Sequence, residues 1–270
     1  MNEGTAKSSE TSVTLPPYVR PGFNNIAPYM VVNGAGKFIE FLKTSFQGTE
    51  RLRMPRPDGA VMHAEVGIGD SVIELAEANE QHPSRANTTH LYVNNADAAY
   101  ERALRAGATS IYPVGDHVSG DLQGCAKDAW GNVWYIALAK DWPGHDRAPS
   151  VQPYLHLHGA EKMIPFAETA FRAEALGVTK SPKGEILHAT IKISHATFEI
   201  DEAREEFQPM PCYLHVYVPD TDARYADAIR AGAVSVEAPT TKPYGERSAA
   251  VKDPFGNTWF LATYLGNNVA

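Results

Sequence analysis

The chain has 270 residues, 43% of them hydrophobic, which is ample for one large or two ordinary domains with their own cores. A formal net charge of -8, with no clustered Lys or Arg, excludes a nucleic-acid surface, which needs a basic stripe. Two cysteines, Cys125 and Cys212, lack metal-type spacing and fit a reducing cytoplasmic setting with small buried thiols.

Residues 1–22 form a polar lead with no apolar run of signal-sequence or membrane-spanning length, and prolines predict an extended path from Pro16 to Gly22. Residues 24–33 alternate as a strand. Residues 35–47 follow with Phe38, Phe41, Leu42 and Phe46 at helical spacing. An extended piece at 51–54 leads into VMHAEVGIGDSVIELA, residues 61–76, where Gly69-Asp70 suits the turn of a β-hairpin. With Ile68 facing Ser71, Glu65 falls opposite Glu74. One face then carries Ala64, Val66, Ile68, Ile73 and Leu75, and the other carries His63, Glu65, Val72 and Glu74. That second face is either simply wet, as in many antiparallel sheets, or functional.

The same order recurs at once. Residues 88–93 read as a strand and Asp97 as the N-cap of a helix that ends at Gly107; strands follow near 109–112, 123–127 and 133–138. The turn from Asp128 to Asn132 separates the last two. The whole pattern then repeats. Pro28-Tyr29 returns as Pro153-Tyr154, His63-Ala64 as His188-Ala189, Glu74 as Glu199, His90 as His215, Asp97 as Asp222 and Gly131-Asn132 as Gly256-Asn257, always 125 positions on. The expected division is a lead over 1–22, a first domain over 23–139, a linker over 140–150 rich in Pro, Gly and charge, and a second domain over 151–265. Each domain contains two βαβββ modules, an α+β organisation in which one sheet face is buried under helices.

The duplicated strand-helix-three-strand order, with P-Y-(M/L), H-A, the D-(P/A)-x-G-N-x-W turn and Y-G-E-R, resembles the vicinal oxygen chelate superfamily. Within it the chain is most similar to the PhnB-like branch of the glyoxalase and bleomycin-resistance proteins. The resemblance implies the paired-module glyoxalase/bleomycin resistance fold, with four modules in two tandem domains. It also implies an open cup whose concave sheet face holds a substrate, often through a divalent metal. The family's ligand positions fall on Ala27, Glu74, Thr88 and Tyr135 in the first copy and on Gln152, Glu199, Tyr213 and Phe260 in the second. Pairing the first module with the fourth would gather Ala27, Glu74, Tyr213 and Phe260. Every such set lacks at least two ligands, whereas a catalytic divalent site generally has about three. The expectation is therefore no metal. The alternative is one divalent ion, Zn or Fe, held by His90 or His215 with His63 and Glu74, or with His188 and Glu199.

On this reading the concave faces hold Tyr29, His63, Glu65, Glu74, His90, Tyr92 and Tyr135 in one copy. The other copy contributes Gln152, Tyr154, His156, His188, Glu199, His215, Tyr217 and Phe260. Rings around carboxylates and imidazoles suit a flat, partly apolar ligand. Burial among them would raise a glutamate's pKa, making Glu74 and Glu199, with His63 and His188, the candidate proton-moving groups. The competing reading makes them hydrogen-bonded walls. Arg247 is a candidate anion anchor at a cup mouth. Trp134, Trp259, Phe38, Phe41 and Phe166 are assigned to the core on the other face. The expected activity is sequestration of a small, partly aromatic or oxygenated molecule, or metal-independent acid-base chemistry on it. A metal-dependent lyase or dioxygenase is the alternative, and no nucleic-acid or membrane partner is expected. One chain supplies what smaller relatives obtain by dimerising, so a monomer is expected, with a homodimer as the alternative.

Overall fold

The computed structural model describes residues 15–117, 120–138 and 150–266. The first module runs β1 (Ile26–Val32), α1 (Ala35–Phe46), β2 (Thr49–Pro55), β3 (Val61–Ile68) and β4 (Ser71–Glu77). The second runs β5 (Thr88–Tyr92), α2 (Ala96–Arg105), β6 (Thr109–Asp116), β7 (Leu122–Lys127) and β8 (Val133–Leu138). The third comprises β9 (Val151–Leu157), α3 (Met163–Phe171), β10 (Glu174–Lys180), β11 (Ile186–Ile193) and β12 (Ala196–Glu202). The fourth comprises β13 (Tyr213–Tyr217), α4 (Thr221–Arg230), β14 (Val234–Lys242), β15 (Glu246–Lys252) and β16 (Thr258–Tyr264). The linker assigned to 140–150 lies outside the described residues except for Ser150, as do residues 1–14 of the lead.

The modules join across the repeat. One eight-stranded sheet has the order β14-β15-β16-β13-β1-β4-β3-β2, and so combines the first and fourth modules; the other, β10-β11-β12-β9-β5-β8-β7-β6, combines the second and third. The seams are the antiparallel pairs β1·β13, with Ala27 opposite His215, and β5·β9, with His90 opposite Gln152. The cores follow a different division. Phe38, Phe41, Trp134 and Ile136 share one apolar cluster built from the first two modules, while Phe166, Phe198 and Trp259 share another built from the last two. Each half of the chain therefore holds a core, and each sheet needs both halves.

Local chemistry explains the elements. The hairpin has the register expected from its alternation, Ile68 opposite Ser71 and Glu65 opposite Glu74. Gly69 takes the positive φ of its turn, where a Cβ would strike Ser150, and the Asp70 carboxylate accepts from the Ser150 amide at 2.7 Å. The glutamate that ends β4, Glu77, accepts from the free amides of Gly34 and Ala35 at the start of α1; Glu202 does the same for Gly159 and Ala160. Asp128 is a four-bond hub, accepting from the amides of Trp130 and Asn132, the Asn132 side chain and the Trp134 indole; Asp253 repeats it.

Two local expectations need correction. The N-caps of α2 and α4 are Asn95 and Asp220, whose side chains accept from Ala98 and Ala223, while Asp97 and Asp222 sit in the first turn. The cap must keep an extended backbone, and Asn95 and Asp220 do. Residues 16–22 fold into two tight turns, Val19 donating to Pro16 and Phe23 to Arg20, because the segment packs against a sheet face instead of running free.

Candidate functional site

Helices cover one face of each sheet, yet charged residues on the opposite face are buried: Glu74 is 4% and Glu199 2% exposed. Loops pack over that face in both sheets, at the position expected for the cups. The first cup is closed by residues 15–23, through Val19 and Phe23 against Val72, Tyr217 and Ala262, and by the loop after β4, where His82 meets Tyr213 and Phe260. The second is closed by the loop after β12, whose Phe207 stacks on His156 and meets Tyr135.

The predicted residues divide by sheet, not by copy. Tyr29, His63, Glu65, Glu74, His215, Tyr217 and Phe260 line the first cup, on β1, β3, β4, β13 and β16. His90, Tyr92, Tyr135, Gln152, Tyr154, His156, His188 and Glu199 line the second, on β5, β8, β9, β11 and β12. The candidate groupings of His90 with Glu74 and of His215 with Glu199 are thereby overturned, since the members lie in different sheets.

Each cup is organised around a histidine-glutamate pair, one member from each half. In the first, His215 Nδ1 lies 2.5 Å from Glu74 Oε1, and its Nε2 lies 4.0 Å from Glu246 Oε2. The Tyr217 hydroxyl donates to Glu246 Oε1 at 2.8 Å. His63 Nδ1 lies 3.3 Å from the Tyr29 hydroxyl and Nε2 lies 3.4 Å from Glu65, which also receives Arg20 at 2.7 Å. In the second cup His90 Nδ1 lies 2.8 Å from Glu199 Oε2, and His188 Nε2 lies 3.8 Å from Glu199 Oε1. His156 lies 2.6 Å from Asp201 and 3.4 Å from the Tyr135 hydroxyl. Gln152 Oε1 accepts from Thr197 at 2.5 Å.

The pairing inverts the expected protonation of Glu199. Burial alone would push its carboxyl up, but His90 and His188 pull it down to about 2, so it is an anion throughout the neutral range. Burial likewise opposes charge on His215, but Glu74 outweighs it and holds the imidazolium to about 9. The His188 imidazole is raised, Glu199 overcoming its burial. Burial also pushes the Tyr29, Tyr92, Tyr135, Tyr154 and Tyr217 phenols above their ordinary value, so all five are neutral donors. Carboxylates orient the imidazoles of both cups.

Arg247 does not reach a cup. It alternates with Ala249 and Val251, which belong to the helix-side core, and donates from Nε and Nη2 to the two carboxylate oxygens of Asp222 of α4. The same alternation brings its neighbour Glu246 inward, a residue identifiable from the Y-G-E-R motif by period two. Asp201 was legible in the same way from Glu199. Phe207, His82 and Arg20 come from loops and carried no periodic signal.

A divalent ion at the family positions does not fit these residues. The first cup offers Ala27, Glu74, Tyr213 and Phe260 there, and the second Thr88, Tyr135, Gln152 and Glu199. Glu74 and Glu199 are already engaged by imidazoles, and the Tyr213 hydroxyl donates to the Pro83 carbonyl. Among the described residues, no three His, Cys, Asp or Glu side chains converge in a way that could hold a metal.

Four βαβββ modules paired into two eight-stranded sheets define a paired-module α+β fold class. The sequence profile described as the Glyoxalase/Bleomycin resistance protein/Dioxygenase superfamily matches residues 22–136. Uncharacterised proteins from Mycobacterium bovis and Mycobacterium tuberculosis are 32% identical over 122 residues, 41% of this chain and 80% and 72% of theirs. Glyoxalase I from Zea mays has the same fold, with a TM-score of 0.68 at 16% identity over 88% of this chain and 92% of that one. The chain belongs to the glyoxalase/bleomycin resistance protein/dioxygenase superfamily.

Proposed function

We propose that the protein binds a small, partly aromatic or oxygenated molecule in a cup and acts on it by sequestration or by metal-independent acid-base chemistry. One observation carries this reading: Glu74 and Glu199, the glutamates at the family's ligand positions, are each bonded to a buried imidazole. An oriented imidazole has one nitrogen left for a ligand, and its carboxylate partner stabilises the cation formed on taking a proton. The surrounding phenols and rings supply burial and neutral hydrogen bonds. Placement in the PhnB-like branch and in the cytoplasm belongs to the same proposal; the latter is supported by Cys125 and Cys212, both buried and free. A monomer is proposed because one chain completes both sheets.

The test is a thermal-shift screen of oxygenated and aromatic compounds, with metal analysis of protein purified without chelator. A specific ligand at 100 times its dissociation constant adds about 2.7 kcal/mol. Expected are stabilising hits that persist after EDTA treatment and weaken in His90→Gln. Stoichiometric metal, with hits lost on chelation, would overturn the metal-independent reading. No hit at any concentration would overturn binding itself.

A further inference from the structure

The two cups have diverged. Within the described residues, three buried side-chain atoms on the helix-free face of the second sheet have no hydrogen-bond partner: His90 Nε2, Gln152 Nε2 and Thr88 Oγ1. The first sheet has none on its corresponding face. There, His215 has a carboxylate near each ring nitrogen, Ala27 replaces Gln152, and Tyr213, in place of Thr88, is satisfied by Pro83. Leaving a buried polar atom unpaired is costly, so three on one face form a standing demand for an occupant.

Resting on the cup-binding reading above, we infer that the second cup alone is the ligand site, and that its ligand is a hydroxylated aromatic ring whose hydroxyl sits between His90 and Gln152. The two residues are directly opposed across the β5·β9 seam, so their side chains rise from the same face as neighbours. His90 Nδ1 donates to the Glu199 carboxylate, which leaves Nε2, buried and without a partner, as the ring nitrogen that faces a ligand. Gln152 Oε1 is taken by Thr197, which leaves its amide N–H groups as donors. A ring nitrogen beside an amide donor suits a hydroxyl, which can both give and receive a hydrogen bond and so fits Nε2 with or without its proton. A carboxylate would meet the negative charge of Glu199. Tyr92, stacked on His90, and Tyr135, edge-on to it, provide the flat apolar walls that suit an aromatic ring.

The test is calorimetric titration of the full chain with 4-methylphenol and with its methyl ether, 4-methylanisole. The phenol is expected to bind at least tenfold more tightly than the ether, because the ether has no hydrogen to give. Thr88→Val and Gln152→Met should weaken phenol binding about tenfold each, and Thr88→Val should do so without lowering the melting temperature of the free protein, since it deletes an atom that bonds nothing. Equal binding of phenol and ether would overturn the ligand class. Phenol binding untouched by Thr88→Val and Gln152→Met but lost in Phe260→Leu would move the site to the first cup, overturning this inference while leaving cup binding intact. If neither compound binds although other library members do, the hydroxyaromatic assignment fails; if nothing binds, the functional reading fails with it.

Discussion

Replacing Glu74 by Gln keeps the size and one acceptor but removes the charge that holds His215 protonated. The wild-type imidazole, buried against Glu74 Oε1 at 2.5 Å, stays cationic to about 9, against an ordinary 6.5. At about 1.4 kcal/mol per tenfold, that gap is worth about 3 kcal/mol of folding free energy. The sign follows from the direction of the shift. A histidine raised in the folded state contributes fully below pH 6.5, and the contribution is lost as pH rises through about 9. Glu74→Gln should therefore destabilise the protein by about 3 kcal/mol at pH 6, the range seen when a buried ion pair loses one partner. The melting temperature should fall by roughly 6–12 °C. By pH 10 the imidazole is neutral in both proteins and the difference should shrink to about 1 kcal/mol, that of one hydrogen bond. Urea unfolding at pH 6, 8 and 10, paired with an NMR titration of the imidazole, measures both quantities. A destabilisation equal at pH 6 and pH 10, or a wild-type His215 that titrates near 6.5, would refute the reasoning.

Glu199 has the opposite dependence: with its carboxyl at about 2 instead of 4.5, its contribution is present above pH 4.5 and lost as pH falls toward 2. Glu199→Gln should flatten the acid limb of a melting-temperature profile between pH 5 and pH 2, and an unchanged limb would count against the pairing. Asp128→Asn and Asp253→Asn each break a four-bond hub and should cost roughly 2–4 kcal/mol in urea unfolding, matched within about 1 kcal/mol; a loss under about 1 kcal/mol at either site would contradict the hub. Residues 15–138 expressed alone retain most of one core but expose the edges of β1 and β5, so the fragment should self-associate on sedimentation, and a folded monomer would contradict the seam assignment.

The element order, the hairpin register, the helix-side core and the inward direction of Glu74 and Glu199 were all legible, because each follows from a period of two or 3.6 in the chain. Arg247 shows how the same rule decides between neighbours. Its partners at two-residue spacing, Ala249 and Val251, are apolar and buried, so it shares the helix side and Glu246 turns inward. The lowered pKa of Glu199 was not legible, because it depends on which histidine stands across the seam. Loop contributions such as Phe207 and Arg20 follow from no periodicity, and only the folded chain brings them to the cups.

The pairing across halves could not be read from the repeat itself. An exact duplication presents the same strand edge twice, and β1 can satisfy its backbone on a β5-type or a β13-type partner with equal hydrogen bonds. What breaks the tie is that each half builds its core from neighbouring modules, while its two first strands each pair with a strand of the other half. A consequence follows for the chemistry. Every cup draws one member of its histidine-glutamate pair from each half, so a substitution in one half alters one cup and leaves its twin as it was. Ala27 against Gln152, Tyr213 against Thr88 and Glu246 against Asp121 are three such substitutions around the two pairs. Together they leave one imidazole enclosed by carboxylates and the other with a nitrogen open to a ligand. Duplication supplied two equivalent sites, and the crossed pairing let them part without either sheet losing a strand.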